Sequence, residues 1–421
     1  MVAELAADML DLAGIVRRGD SIMWGQGAAE PMTLTEALVR QRKEVGPVKI
    51  FIGLTLSETL QPAHADFLAL ASYAGIGANQ RLARAGVLEF VPCHYSQLPE
   101  LIARGELACD VVFIQLSREN GAGAFSLGAG NDYLLDAARR ARVVVAEIND
   151  QAPWTCGSEG LAELRIDYLV RTSRPLPQMP RNAIGDSERR IAAHAAEFIA
   201  DGAVLETGVG AIPDAILSSL GDRRDLGIHS GMIGDSTVDL IECGAVTNAR
   251  KRIDRGKTVA GLLLGSDRLY RFAHENPGMQ LRPASYTHNA RVMAALDNFT
   301  AINSAIEVDL TGQVNAELVG GAYVGAVGGQ GDFVRAAMHS HGGRSIIALP
   351  ATAKGGALSR IVSSLSGGIT TTPRSDADVI VTEWGSAELR GQSLNERKRR
   401  LIAIADPSFR DQLEKDARRN T

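Results

Sequence analysis

Short runs of β-branched and aliphatic residues recur along the whole chain, separated by longer stretches with helical periodicity, and this alternation narrows the fold most. "VKIFIGL" (48–54), "DVVFIQL" (110–116) and "RVVVAEIN" (142–149) are near-continuous apolar runs. Such runs belong to strands covered on both faces, whereas a strand with one wet face alternates apolar and polar residues. "NDYLLDAARRA" between the last two carries a helical pattern. In the second half "AVLETGVG" (203–210), "TVAGLLLG" (258–265), "SIIALPA" (345–351) and "DVIVTEWG" (378–385) have the same strand character. "SERRIAAHAAEFIADG" (187–202) predicts a helix with Ser187 as N-cap, Ile191, Ala195, Phe198 and Ile199 on one face, and Gly202 beyond its end. Strands alternating with helices predict an α/β fold with largely parallel sheets.

The chain is not uniform along its length. "TSRPLPQMPRN" (172–182) is proline-rich and aperiodic, and it predicts a linker. It divides the chain into an N-terminal domain, 1–180, and a C-terminal domain, 181–421. The halves echo one another. "GDSIMWGQGAAEPMTLTEAL" (19–38) and "DGAVLETGVGAIPDAILSSL" (201–220) each run through a turn, a short strand, a Gly-x-Gly loop, a proline and a helical pattern. A duplicated α/β unit accounts for that shared order.

Bulk properties exclude several classes of function. The chain has 421 residues, 45% of them hydrophobic and 22% charged, enough apolar material for two ordinary cores. A net charge of -5 argues against a nucleic-acid binder. No apolar run is long enough to span a bilayer, and the acidic start "MVAELAADMLDLAGIV" lacks the basic region of a signal peptide. The expectation is a cytoplasmic protein without a membrane partner. Cys93, Cys109, Cys156 and Cys243 form no CxxC pair, which fits a reducing compartment. His339 and His341 have no ligand cluster near them in sequence, so no metal is expected.

Three glycine loops are the first candidates for chemistry: Gly25-Gln26-Gly27, Gly208-Val209-Gly210 and Gly328-Gly329-Gln330. Each precedes a helical pattern, where exposed amides can meet an anion or an acyl oxygen. None continues into a complete dinucleotide fingerprint or a Walker lysine. One such loop is an ordinary strand-to-helix turn. Three in one α/β chain favour an anionic or acyl ligand.

In "GVGAIPDAIL", "LGIHSGMIGDSTVDLIECGAVTN", "SAIEVDLTGQVNAE", "VGGQGDFVRAA", "DADVIVTEWGSAELRG" and "RLIAIADPSFRDQL" the chain resembles the acetyl-CoA hydrolase/transferase family, and within it the 4-hydroxybutyrate CoA-transferases. "GDSIMWGQGAAEP", "NGAGAFSLGAGNDY" and "VVVAEINDQAP" extend the resemblance through the first half. It implies two similar CoA-transferase-like α/β domains, a coenzyme A ester as substrate, no tightly bound cofactor, no metal, and a homodimer. It also implies a glutamate nucleophile, which forms an acyl-glutamyl anhydride and then a glutamyl-CoA thioester. Glycine-loop amides would stabilise the oxyanion, with Gly208, Val209, Gly210, Gly328, Gly329 and Gln330 at the matching positions.

One position breaks the pattern. Where the family reads His-Ser-Glu-Met, this chain reads His229-Ser230-Gly231-Met232. The position matching the nucleophile is Gly231, which has no side chain to form an anhydride. Two neighbouring changes accompany it: Glu206 stands where the family has glutamine, and Gly331 where it has an apolar residue. Glu206, near the carboxyl end of its predicted strand, is the first candidate for a catalytic carboxylate; its alternative role is to hydrogen-bond loop amides. Glu119 in "RENG" is a second candidate, set against a turn role for Glu119-Asn120-Gly121. Gly25, Gln26, Gly27, Glu30 and His229 are candidates for lining the substrate cleft. Glu307 is a weaker candidate carboxylate, set against a merely solvent-facing position, and Asp309 and Gln313 are candidates for positioning a loop. Three readings follow: hydrolysis of an acyl-CoA at a thioester or C–C bond, CoA transfer through a relocated carboxylate such as Glu206, and CoA-ester binding without turnover.

Overall fold

The computed structural model describes residues 3–419. The chain forms two compact units, Met1–Pro180 with Val259–Asn289, and Arg181–Thr258 with Ala290–Thr421.

The first unit is built on eight strands: β1 (Ala3–Leu5), β2 (Ser21–Trp24), β3 (Val48–Ile52), β4 (Leu68–Ser72), β5 (Leu88–Phe90), β6 (Val111–Ser117), β7 (Val143–Asn149) and β8 (Tyr168–Thr172). They lie in the order β1-β8-β7-β6-β2-β3-β4-β5, and every pair is parallel. The apolar runs at 110–116 and 142–149 become β6 and β7, and β6 is buried throughout. The helices Met32–Arg40, Leu98–Arg104 and Leu134–Arg140 bury the apolar stripes Leu34/Leu38, Leu98/Ile102 and Leu134/Leu135/Ala138, which is what keeps both faces of a parallel sheet dry.

Segment 259–289 belongs to this unit through main-chain bonds. Leu263 N donates to Ala129 O at 2.8 Å, Asn131 N to Gly261 O at 3.0 Å, and Leu281 N to Cys156 O at 2.8 Å. The buried Asn131 side chain closes the joint, donating to Gly157 O and Leu281 O at 3.1 and 3.0 Å.

In the second unit β9 (Val204–Thr207) lies between β10 (Gly227–Ile233) and the strand Phe299–Ser304, both parallel to it. The sheet continues through Arg344–Ala348 and Val379–Thr382, again parallel, and ends on Gly385–Glu388, which is antiparallel. β2 and β9, the strands that precede the matching glycine loops, each lie beside the next strand in the chain and beside a later one. The duplicated order read in the sequence is thus a duplicated topology, and the fold is α/β with largely parallel sheets.

Two local expectations shift. The helix after the linker is Asp186–Ala196, with Gly185 as N-cap and Ser187 inside its first turn. Glu188 takes the capping role from within the helix, its Oε2 accepting the Gly185 N–H at 3.0 Å. Phe198 and Ile199 lie beyond the helix end. His229, Ser230 and Gly231 are all inside β10, and the helix Asp235–Glu242 starts after Gly234. Among the described residues no helix is long and apolar enough to cross a membrane.

Candidate active site

Strand register places the candidate residues of the second unit. Val204 pairs with Gly227 and Leu205 with Ile228 on β10, while Glu206 pairs with Ala301 and Thr207 with Ile302 on the other side. Side chains alternate faces along a strand, and neighbours in register share a face. Glu206 therefore shares its face with His229 and Gly231 of β10, and with Phe299, Ala301 and Asn303 of the next strand. Ser230 points to the opposite face, where its hydroxyl donates to Thr207 O at 3.0 Å and Met232 O at 2.7 Å and ties β10 to β9.

The face carrying Glu206 is covered by the helix Gln330–His339, whose Phe333 packs on Phe299 with ring centroids 6.3 Å apart. Phe299 in turn meets the His229 ring edge-on at 6.3 Å. Val204, Ala301, Ala336 and Ala337 complete the apolar cover. Glu206 is left 3% exposed. Asn303 Nδ2 donates to its Oε2 at 2.8 Å. Burial outweighs the Asn303 and Ile302 hydrogen bonds, and the carboxyl is pushed up to about 8. It holds a proton at neutral pH and, once ionised, is a stronger base than an ordinary carboxylate.

Connectivity brings the glycine loops to the same end of this sheet. Gly208–Gly210 follow the carboxyl end of β9 and lead into the helix Ala211–Ser218. The Gln330–His339 helix joins two parallel strands, so it runs against them and its first turn, next to Gly328 and Gly329, lies at their carboxyl ends. Ligands of open α/β sheets bind at that end. A Cβ built on Gly208 or Gly210 meets nothing within 4 Å, so the loop borders open space. Gln330 is held from the side, its Nε2 donating to Thr372 Oγ1 at 3.1 Å.

Glu307 and Asp309 are each tied into the local fold. Glu307 is buried, contrary to the solvent-facing alternative, and accepts from Ser366 N, Ser366 Oγ and Asn315 Nδ2 at 2.8–3.1 Å. Asp309 closes a turn, accepting from Thr311 N, Gln313 N and Gln313 Nε2.

In the first unit the matching loop is closed. Residues 25–30 are all buried. The Gln26 amide is engaged at both ends: Oε1 accepts from Leu54 N at 2.9 Å and Tyr73 OH at 2.8 Å, and Nε2 donates to Tyr95 OH at 2.6 Å. A Cβ on Gly25 would stand 2.4 Å from Ala29 O, and one on Gly27 2.7 Å from Leu264 Cδ2. Glu30 is 2% exposed, accepts from Thr35 Oγ1 at 2.9 Å, and is raised to about 6 by burial. Glu119 is paired with Arg171 through two bonds of 3.0 and 3.3 Å, which hold it below the usual carboxylate range. A charged carboxylate fixed this way is a poor proton carrier at neutral pH. The next residue, Asn120, supplies the turn, its Oδ1 capping Ala122 N and Ala124 N.

Asn303 is the residue the sequence reading missed. Its signal was present: in "FTAINS" it is a polar residue at the end of an apolar strand, two positions from Ala301.

Residues 6–177 match the acetyl-CoA hydrolase/transferase N-terminal domain, and residues 265–417 the C-terminal domain. The 4-hydroxybutyrate coenzyme A transferase of Clostridium kluyveri is 37% identical over 396 residues, covering 93% of this chain and 92% of that protein. RipA from Yersinia pestis superposes with a TM-score of 0.92 at 34% identity, over 99% of this chain and 97% of its own. The 4-hydroxybutyrate CoA-transferase from Porphyromonas gingivalis superposes with a TM-score of 0.83 at 33% identity, over 100% of this chain and 98% of its own. Both domain matches and the near-full-length likeness make this chain a member of the acetyl-CoA hydrolase/transferase family of enzymes.

Proposed function

We propose that this enzyme acts on acyl-CoA by hydrolysis, with the Glu206 carboxyl moving the proton that a covalent glutamate makes unnecessary in the family's transferases. One observation carries the reading: Glu206 and Gly231 lie on the same face of adjacent strands, so a carboxyl is present beside the position where the family resemblance puts its nucleophile and this chain has no side chain. With Glu206 ionised, a water gives it a proton and bonds to the acyl carbonyl carbon. Loop amides from Gly208–Gly210 and Gly328–Gln330 take the oxyanion. Collapse breaks the C–S bond, and the thiolate of CoA leaves and is reprotonated. The same proton transfer serves a C–C bond beside a carbonyl, with a carbanion as leaving group.

The second reading is CoA transfer with Glu206 itself as nucleophile. Similarity to the 4-hydroxybutyrate CoA-transferases of Clostridium kluyveri and Porphyromonas gingivalis favours it. One experiment separates the two. Turnover is run in 18O-water with and without a carboxylic acid acceptor, followed by peptide mass spectrometry after borohydride. Solvent oxygen in the product, acceptor-independent thiol release and an unmodified Glu206 are expected. Acceptor-dependent transfer with a reducible adduct on Glu206 assigns the second reading, and binding without turnover across an acyl-CoA panel rejects both.

A further inference from the structure

Arginines of the second unit show two ways of satisfying a guanidinium that is drawn into the fold. Arg344 and Arg390 share the buried Asp378 at 3.3 and 2.7 Å, and Arg335 pairs with Asp376 at 3.0 Å. Arg397, buried without a carboxylate, is satisfied by main chain: its donors reach Gln392 O, Thr311 O and Arg374 O at 2.6–3.3 Å. Arg360 has neither solution. Its Nη1 makes one long bond, 3.3 Å to Ala305 O. Its Nε is buried and has no hydrogen-bond partner. Among the described residues no carboxylate pairs with it; Glu383 acts on it only from a distance and spends Oε2 on Ala351 N at 2.7 Å. Burial disfavours its charge. A half-buried guanidinium left with open donors is costly unless an anion completes it.

The main chain fixes where this group sits. Arg360 N donates to Ala351 O, and its carbonyl accepts from Val308 N, both at 2.8 Å. Ala305, the anchor of its Nη1, follows the strand whose Asn303 holds Glu206. Two residues of extended chain span at most about 7 Å, so the guanidinium is anchored within that distance, along the chain, of the residue that positions the carboxyl. Both lie at the carboxyl end of the strand Phe299–Ser304.

We propose that Arg360 binds an oxyanion group of the substrate: a carboxylate carried by the acyl chain, or a phosphate of coenzyme A. The inference rests on the acyl-CoA reading above and adds an anion requirement to it. Arginine suits the task because its planar fork takes two oxygens at once.

The test compares the wild-type enzyme with Arg360→Gln and Arg360→Lys. Steady-state kinetics use two acyl-CoA esters of equal length, one ending in a carboxylate and one in the neutral amide, and calorimetry measures CoA alone. The wild type is expected to favour the carboxylate ester at least tenfold in kcat/KM. Arg360→Gln is expected to erase that preference through KM, and Arg360→Lys to keep part of it. A fall of tenfold or more in the affinity for CoA alone, equal for both esters, identifies the bound oxyanion as a phosphate and also supports the proposal. The proposal is overturned if both variants keep the wild-type ester preference and bind CoA within twofold of wild type, whatever their Tm. If Arg360→Gln does not fold, Arg360→Lys and the wild-type preference decide by the same criteria. Should the wild type turn over neither ester, the functional reading fails separately, and binding of CoA and of the free dicarboxylic acid to wild type and Arg360→Lys still tests the arginine.

Discussion

The same strand–loop–helix element occurs twice in this chain and has been used in opposite ways. After β2, the loop is packed shut: Gln26 is clamped by Tyr73, Tyr95 and Leu54, and Gly25 and Gly27 are there because a side chain would strike Ala29 O or Leu264. After β9, Gly208 and Gly210 face open space. A glycine in the first loop makes room for the protein itself, and a glycine in the second leaves room for something else. The buried carboxyls differ in their donors rather than in depth. Glu30 is relieved by hydroxyl groups, Thr35 among them, and is raised only to about 6, while the equally buried Glu206 has Asn303 and the Ile302 main chain and is raised to about 8. Duplication supplied two equivalent frames, and packing closed one loop and left the other open.

The largest expected break in this comparison comes from the carboxyls. Glu206→Gln should lower kcat/KM for acyl-CoA by about 10²- to 10⁴-fold, the range for loss of a general base, whereas Glu30→Gln should leave it within about threefold, a ratio near unity on the ~1.4 kcal/mol-per-decade scale. Equal losses would mean that the two loops serve one site alike. Next come the glycines. Gly25→Ala should cost about 1–3 kcal/mol or more of stability by overpacking against fixed backbone, read as a fall in Tm. Gly208→Ala should stay within about 0.5 kcal/mol, as a substitution in open space does, and show its effect in KM instead. Gln26→Leu should cost about 1–3 kcal/mol, because two buried tyrosine hydroxyls and the Leu54 N–H lose their partner, with activity following the folded fraction.

The last comparison is in the pH dependence of stability. A carboxyl raised on folding keeps a proton that the unfolded chain has released. Glu206 therefore lowers stability progressively as pH rises from about 4.5 to about 8, with no further change above. Glu30 acts with the same sign but only up to about 6. The Tm difference between Glu206→Gln and wild type should thus widen between pH 6 and 8, while the difference for Glu30→Gln should already be flat there. Activity that needs the ionised carboxylate should rise over the same window. A flat Tm difference for both variants would show that neither carboxyl is desolvated as described.

Much of this was written locally. The strands at 48–52, 111–117 and 143–149 were legible because burial on both faces requires unbroken apolar runs, and the repeated glycine loop because it is a contiguous pattern. Ser187 misled because two acidic residues flank it, and Glu188 does the capping from inside the helix. Glu307 misled because alternation along a strand tells which residues share a face but not which face is wet; Asn315 on the neighbouring strand and Ser366, 59 residues away, cover it. His229, Ser230 and Gly231 stay within β10 although glycine and serine weaken a strand pattern, because the Ser230 hydroxyl bonds main-chain carbonyls there.

By itself the sequence determined the class of fold, the duplicated order of elements, and the glycine at 231, since these depend on periodicity and on residue identity. Tertiary structure alone decided that segment 259–289 completes the first unit, that Asn303 is the partner of Glu206 across 97 residues, and that one glycine loop is sealed and the other open. Those outcomes depend on strand register and on which distant side chains fill the space around a turn, and neither is encoded in a local pattern.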